Sequence, residues 1–169
     1  MNTATLHALS SFPERLEVFY ATVPADRSGW APESWSGIPS ESFTAIGQIC
    51  HVRDIEVDGY HLRLQRTLDE HEPFLANIDG YRFERERDYA HADATDVLAR
   101  FRAARTQTVE LIRGLDAAAL DRRAIFEDYG AITLRGLVHL LCSHDQQHLA
   151  GLQWLLGMIE AGRAKREAP

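Results

Sequence analysis

Only two cysteines, one lysine and no long apolar run occur in these 169 residues. Cys50 and Cys142 lack CxxC spacing, so no zinc ribbon or redox dithiol is encoded. Both are expected as free, buried, reduced thiols in a cytoplasmic protein. No segment approaches the roughly 18 consecutive apolar residues of a membrane-spanning helix. Met1 to Pro13 carry neither the basic nor the apolar region of a secretory signal. Basic side chains are outnumbered, 18 against 25 acidic ones, for a formal net charge of -7, and Lys165 is the only lysine. Without a basic surplus, neither nucleic acid nor a membrane is expected as a partner. GxSxG, P-loop, HExxH and GxGxxG patterns are missing, as are the paired ExxH motifs of a di-iron bundle. No repeat, low-complexity tract or interdomain linker breaks the chain, which reads as one domain over residues 1–169.

Against these absences stand 45% hydrophobic residues arranged with helical periodicity. Leu6, Leu9, Phe12, Leu16, Phe19 and Tyr20 predict a first helix from about Ala4 to Thr22, with Pro13 a possible start of its regular part. Trp30, Pro32, Trp35, Gly37 and Pro39 predict a loop with aromatic anchors. A second helix is expected from Glu41 to Glu70, capped by Ser40, with Phe43, Ile46, Cys50, Val57, Tyr60, Leu64 and Leu68 on its apolar stripe. A third is expected from Ala94 to Arg113, between an Asp93 cap and Gly114 as its C′ residue. The fourth runs from Leu134 to Ala161, capped by Thr133 and stopped by Gly162, with a frayed tail to Pro169. Between the second and third helices, Arg82 to Asp88 is long enough for a turn or two of helix. Between the third and fourth, Ile125 to Ile132 reads as irregular or strand-like. Four helices joined by such long connections predict an all-α four-helix bundle that is not simply up-down-up-down.

Eight histidines are the main chemical surplus. His144 and His148 are spaced HxxxH on the fourth helix, one turn apart, on a face shared with Leu137, Leu141, Leu152 and Leu155. Buried imidazoles need partners for their nitrogens. Two readings follow: a shared metal ion, or two core histidines bonded to carbonyls or acids. A metal would need a third ligand, for which His51 on the second helix is one candidate among several; by itself it reads as a boundary histidine. Gly47 and Gly151, each about a turn away from a histidine, are expected to leave room there. Three neutral imidazoles with one open position is the layout of a catalytic metal site. His7, His61, His71, His91 and His139 are read as non-ligands, mostly on the surface. Asp54 and Asp58 lie near the His51 face, as imidazole-orienting groups, bases or solvated carboxylates. Asp145 is assigned to a supporting bond with a neighbouring element. Arg53, Glu56 and Arg135 are assigned to interhelical ion pairs, with the two arginines as alternative anchors for a carboxylate.

Gly47-Gln48-Ile49-Cys50-His51-Val52-Arg53-Asp54-Ile55-Glu56, followed about ninety residues later by Ser143-His144-Asp145-Gln146-Gln147-His148, resembles the DinB-like superfamily of damage-inducible-type four-helix metalloproteins. The likeness spans nearly the whole chain, from the loop at Trp35 to Trp154. That superfamily is similar in fold to bacillithiol S-transferases, to mycothiol-dependent isomerases and to the metal-binding domain of ergothioneine-forming sulfoxide synthases. The resemblance implies an up-down-down-up bundle and a divalent ion, zinc or nickel and sometimes iron, held by His51, His144 and His148. It also implies a homodimer acting on a small molecule, with an external low-molecular-weight thiol as the activated group. The enzyme class is then a metal-dependent thiol transferase or a hydrolase. A noncatalytic bundle that binds a metal or small molecule is the alternative.

Overall fold

A computed structural model describes residues 1–167. The first helix, α1, spans Thr3–Tyr20. It begins at Asn2, whose side chain accepts the Thr5 N–H at 2.8 Å, and not at Pro13, which lies inside the helix. Burial of Leu9, Phe12, Pro13 and Leu16 outweighs the hydrogen bond that the proline removes.

The second rod starts later than its stripe suggests. Thr44 caps it by accepting the Gly47 N–H, so α2 is Ala45–Asp54. Ser40 and Glu41 stay outside, in a loop pinned by the fully buried Phe43. A π-helical segment, Ile55–Tyr60, follows without a break and leads into α3, His61–Asp69. The wider turn moves Val57, expected on the apolar stripe, out to 42% exposure, while Tyr60 and Leu64 remain buried.

The long connection holds a two-residue strand β1 (Phe74–Leu75), then α4 (Gly80–Glu86), capped by Asp79, close to the turns expected at Arg82 to Asp88. Next comes α5, Ala94–Arg113, capped by Asp93, which accepts the Thr95 and Asp96 N–H groups. Gly114 ends it with a right-handed φ of -79°, so a glycine is not conformationally required there. After α6 (Ala117–Leu120), β2 (Arg123–Phe126) and β3 (Gly130–Thr133) form a hairpin. β1 adds to β2 in parallel, with Phe74 opposite Ile125 and Leu75 opposite Phe126. The last helix, α7, runs Leu134–Glu167, straight through Gly162. Ala168 and Pro169, the end of the expected tail, lie outside the described residues.

Two apolar clusters reveal the helix directions. One holds Leu9, Leu64, Val109, Ile112, Leu137 and Leu141. The other holds Phe12, Leu16, Ile49, Val97, Phe101, Leu149 and Leu152. Helices α1 and α7 run from the first cluster to the second, whereas α2–α3 and α5 run from the second to the first. The bundle is therefore up-down-down-up, and the long connection lets two successive helices run parallel. No helix among the described residues is long and apolar enough to cross a membrane.

Candidate metal centre

His51 sits on the last full turn of α2, facing the middle of α7. The Thr44 cap sets the phase of α2. On α7, Thr133 Oγ1 accepts the Gly136 N–H and sets the start of that helix. In antiparallel packing, His51 meets both members of the HxxxH pair. Ring centroids are 5.3 Å apart for His51–His144, 4.6 Å for His51–His148 and 4.3 Å for His144–His148. The Nε2 atoms of His51 and His144 are 3.2 Å apart, and one nitrogen from each of the three rings lies within 4.8 Å of the others. Bonds of about 2.0–2.1 Å to a tetrahedral ion put ligand nitrogens about 3.3 Å apart. One pair already has that separation, and the nitrogen of the third ring lies within 4.8 Å of both.

Gln48, one turn before His51, orients the third ring. Its Nε2 donates to Ser40 Oγ and to the carbonyls of Glu41 and Phe43, so its amide oxygen must face the other way. That oxygen accepts from His148 Nδ1 at 2.6 Å. The bond places the proton on Nδ1 and leaves the Nε2 lone pair directed at the other imidazoles. His148 is fully buried; with its proton on Nδ1 its Nε2 can only accept, and the nearest polar atom, Glu41 Oε2 at 3.2 Å, is itself an acceptor, so the nitrogen has no hydrogen-bond donor among the described residues. An orphaned buried nitrogen beside two further imidazoles fits a metal ion.

Glycine does make room here, though not as the sequence suggests. The space at Gly47 is taken by Phe43, whose Cβ would lie 3.1 Å from an added Cβ. Gly80, at the start of α4, is the residue against His51: a Cβ there would stand 2.6 Å from the ring's Cε1. Gly151 admits Ser40 and Gln48, whose nearest atoms would lie 2.2 and 3.0 Å from an added Cβ.

Burial pushes His51 down to about 3, the neighbouring His148 adding to the fall while Glu41 and Asp54 oppose it. Burial likewise holds His144 well below the ordinary imidazole range, with the other two rings contributing. Both are therefore neutral near pH 7, with lone pairs available. Glu41, which periodicity assigned to the first turn of a helix, brings Oε2 within 3.2 Å of His148 Nε2 and Oε1 within 3.7 Å of His51 Nε2. Neither Glu41 nor the bond made by Gln48 stood out in the sequence. For Gln48 the QxxH spacing on one helix face is a usable signal; Glu41 offers none.

Most of the other singled-out residues serve the scaffold. Asp54 accepts from Tyr89 Oη at 2.6 Å and from Arg53 Nε at 2.7 Å, and Arg87 bridges it to Asp58; neither carboxylate hydrogen-bonds an imidazole. Arg53 therefore pairs within its own helix rather than across the bundle. Arg135 pairs with Asp121 at the surface. Asp145 and Glu56 converge on Arg105 of α5, all three buried. His61 is partly buried, its Nε2 meeting the Ala104 carbonyl and Thr108 Oγ1. Both cysteines are free, but Cys142 is only partly buried. Burial pushes the Cys50 thiol up to about 12, so it is no nucleophile at neutral pH.

Beside the imidazoles opens a cavity of about 170 Å³, whose lining includes Glu41, His51, His144, Arg63, Asn77 and Tyr129. Comparison with known families supports this arrangement of the chain. Residues 8–152 match the model of the DinB superfamily. This chain belongs to the DinB superfamily. No curated protein sequence matches it. Among solved structures it is similar to YfiT from Bacillus subtilis, described as "a probable metal-dependent hydrolase with an unusual four-helix bundle topology". The two share 21% identity and superpose with a TM-score of 0.81 over 95% of this chain and 90% of that one. At that identity the likeness establishes the fold alone.

Proposed function

We propose that the protein is a divalent-metal-dependent enzyme acting on a small molecule, with His51, His144 and His148 as the metal ligands. The observation that carries this reading is the convergence of three imidazoles, each with a buried nitrogen that has no hydrogen-bond partner among the described residues, beside a cavity lined by two of them. Zinc, nickel and iron all suit three imidazoles. The ion would supply Lewis acidity, lowering the pKa of a bound water or thiol. Gln48 holds His148 in the tautomer that presents Nε2, and Gly80 lets His51 take its position. Glu41 accepts or returns a proton beside the ligands. No thiol of this chain serves as nucleophile, so the nucleophile comes from outside: water, as the description of YfiT suggests, or a low-molecular-weight thiol, as the resemblance to S-transferases suggests. We assign the cytoplasm as its compartment and a homodimer as its assembly, the latter to be checked by light scattering.

Elemental analysis of untagged protein tests the reading, beside His148→Ala. About one divalent ion per chain, lost in the variant, is expected, followed by metal-dependent ester hydrolysis or thiol transfer. No ion in either protein after incubation with zinc and nickel overturns it. A second reading, a closed noncatalytic site, is favoured by the approach of Glu41 to two ligand nitrogens. In that case Glu41→Gln weakens metal retention; in an enzyme it lowers turnover and spares metal content.

A further inference from the structure

Arg63, on α3, is buried to 6% exposure and lines the same cavity as His51 and His144. Its position depends on the π segment. Twelve residues along a regular helix place Arg63 about 120° from His51. The extra residue accommodated by Ile55–Tyr60 sets it back by about 100°, so both side chains share one face.

One guanidinium nitrogen, Nη2, donates to the Ala76 carbonyl at 3.0 Å. The group lies over the Phe126 ring, 4.6 Å from its centroid, and 5.2 Å from that of Tyr60. Among the described residues no carboxylate comes within ion-pair distance. Burial pushes the guanidinium down from its ordinary value, and only the phenols of Tyr60 and Tyr129 oppose this. Every other arginine of comparable burial here has an acidic partner: Arg105 has two and Arg53 has one. A buried cation without an anion is costly, and an incoming anion relieves that cost.

We propose that Arg63 anchors the carboxylate of a small monocarboxylate ligand in the cavity it shares with the imidazoles. The proposal deepens the enzymatic reading and rests on it only for the role of the ion. A planar guanidinium matches a carboxylate or a phosphate. The Glu41 carboxylate on the same cavity wall and the chain's formal charge of -7 disfavour a dianion, which selects the carboxylate. Ile55, Ile78, Leu140 and the Phe126 ring supply an apolar remainder. A cavity of about 150 Å³ in another protein admits benzene, so the 170 Å³ here suits a molecule of that size carrying one carboxylate.

Benzoate, its neutral isostere benzamide, and inorganic phosphate are titrated calorimetrically into metal-loaded and metal-stripped protein, wild type and variants. Benzoate should bind wild type at least tenfold tighter than benzamide in both states. Arg63→Met should abolish that preference with metal content unchanged. Arg63→Lys, which keeps charge without the planar fork, should retain part of it and serves if the methionine variant fails to fold. Equal binding of benzoate and benzamide, no benzoate binding, tighter binding of phosphate, or a preference that survives Arg63→Met would each overturn the proposal. A preference seen only in loaded protein would also overturn it, since benzoate would then be binding the ion. If wild type takes up no metal, the enzymatic reading fails, and the stripped protein still decides the role of Arg63.

Discussion

Removing the cation from the buried ion cluster is the sharpest test of how this core is held together. Arg105 is 1% exposed, and its guanidinium makes two bonds to Glu56, at 3.0 and 2.9 Å, and two to Asp145, at 2.6 and 2.9 Å. Its Nη1 also donates to the Leu9 carbonyl at 3.3 Å, and Thr108 Oγ1 donates to Glu56 at 2.5 Å. The cluster joins the second, third and fourth bundle helices in the layer next to the imidazoles. Arg105→Met keeps most of the side-chain volume but leaves two carboxylates buried with no counter-ion. Breaking one buried pair this way costs about 3–5 kcal/mol, and here two pairs break. A loss of at least about 4 kcal/mol is expected, against a typical total of about 5–15 kcal/mol. With a urea slope of about 2 kcal/mol/M, the unfolding midpoint falls by about 2 M. The sign of the pH effect follows from the carboxylates. Burial already raises Asp145 to about 6 against the pull of Arg105; without the guanidinium it is harder still to ionise when folded, so the folded variant gains that proton first and its deficit narrows as pH falls. Asp145→Asn lowers the number of buried negative charges to match the single cation, and should cost far less than Arg105→Met. Urea unfolding followed by circular dichroism measures all three. A loss below about 1 kcal/mol for Arg105→Met, or a larger loss for Asp145→Asn, would refute the argument.

Gln48→Leu removes the acceptor that fixes the His148 tautomer; metal affinity should fall about 10–100-fold in chelator competition, with little change in helix content. Gly80→Ala forces a Cβ to within 2.6 Å of His51 Cε1; metal content should drop, with a stability loss of about 1–3 kcal/mol. Tyr89→Phe takes a 2.6 Å hydrogen bond from the buried Asp54 carboxylate, and should cost about 1.5–3 kcal/mol in urea unfolding. Stripping the ion with a chelator should lower the thermal midpoint of wild type and leave His148→Ala unmoved.

The sequence by itself determined that the helices form and roughly where, because they carry apolar faces that repeat every three or four residues and most have a side chain able to cap the start. Asn2, Thr44 and Asp93 act only on neighbours two or three residues away, so their effects are local. The HxxxH pair was legible for the same reason: its geometry belongs to a single helix. His51 became a partner only through the resemblance to a family, since no local pattern links residues about ninety positions apart. Tertiary structure alone decided what surrounds the three rings. Glu41 reaches them from a loop, Gly80 from the crossover, and Arg63 through a π turn that a 3.6-residue period cannot reveal. The pairing of Phe74 with Ile125 joins short segments about fifty positions apart, neither long enough to show an alternation of its own. Each of these depends on which surfaces meet when the bundle closes. Periodicity indicates which face of a helix is apolar, but the residue opposite that face is set by the packing of the whole chain.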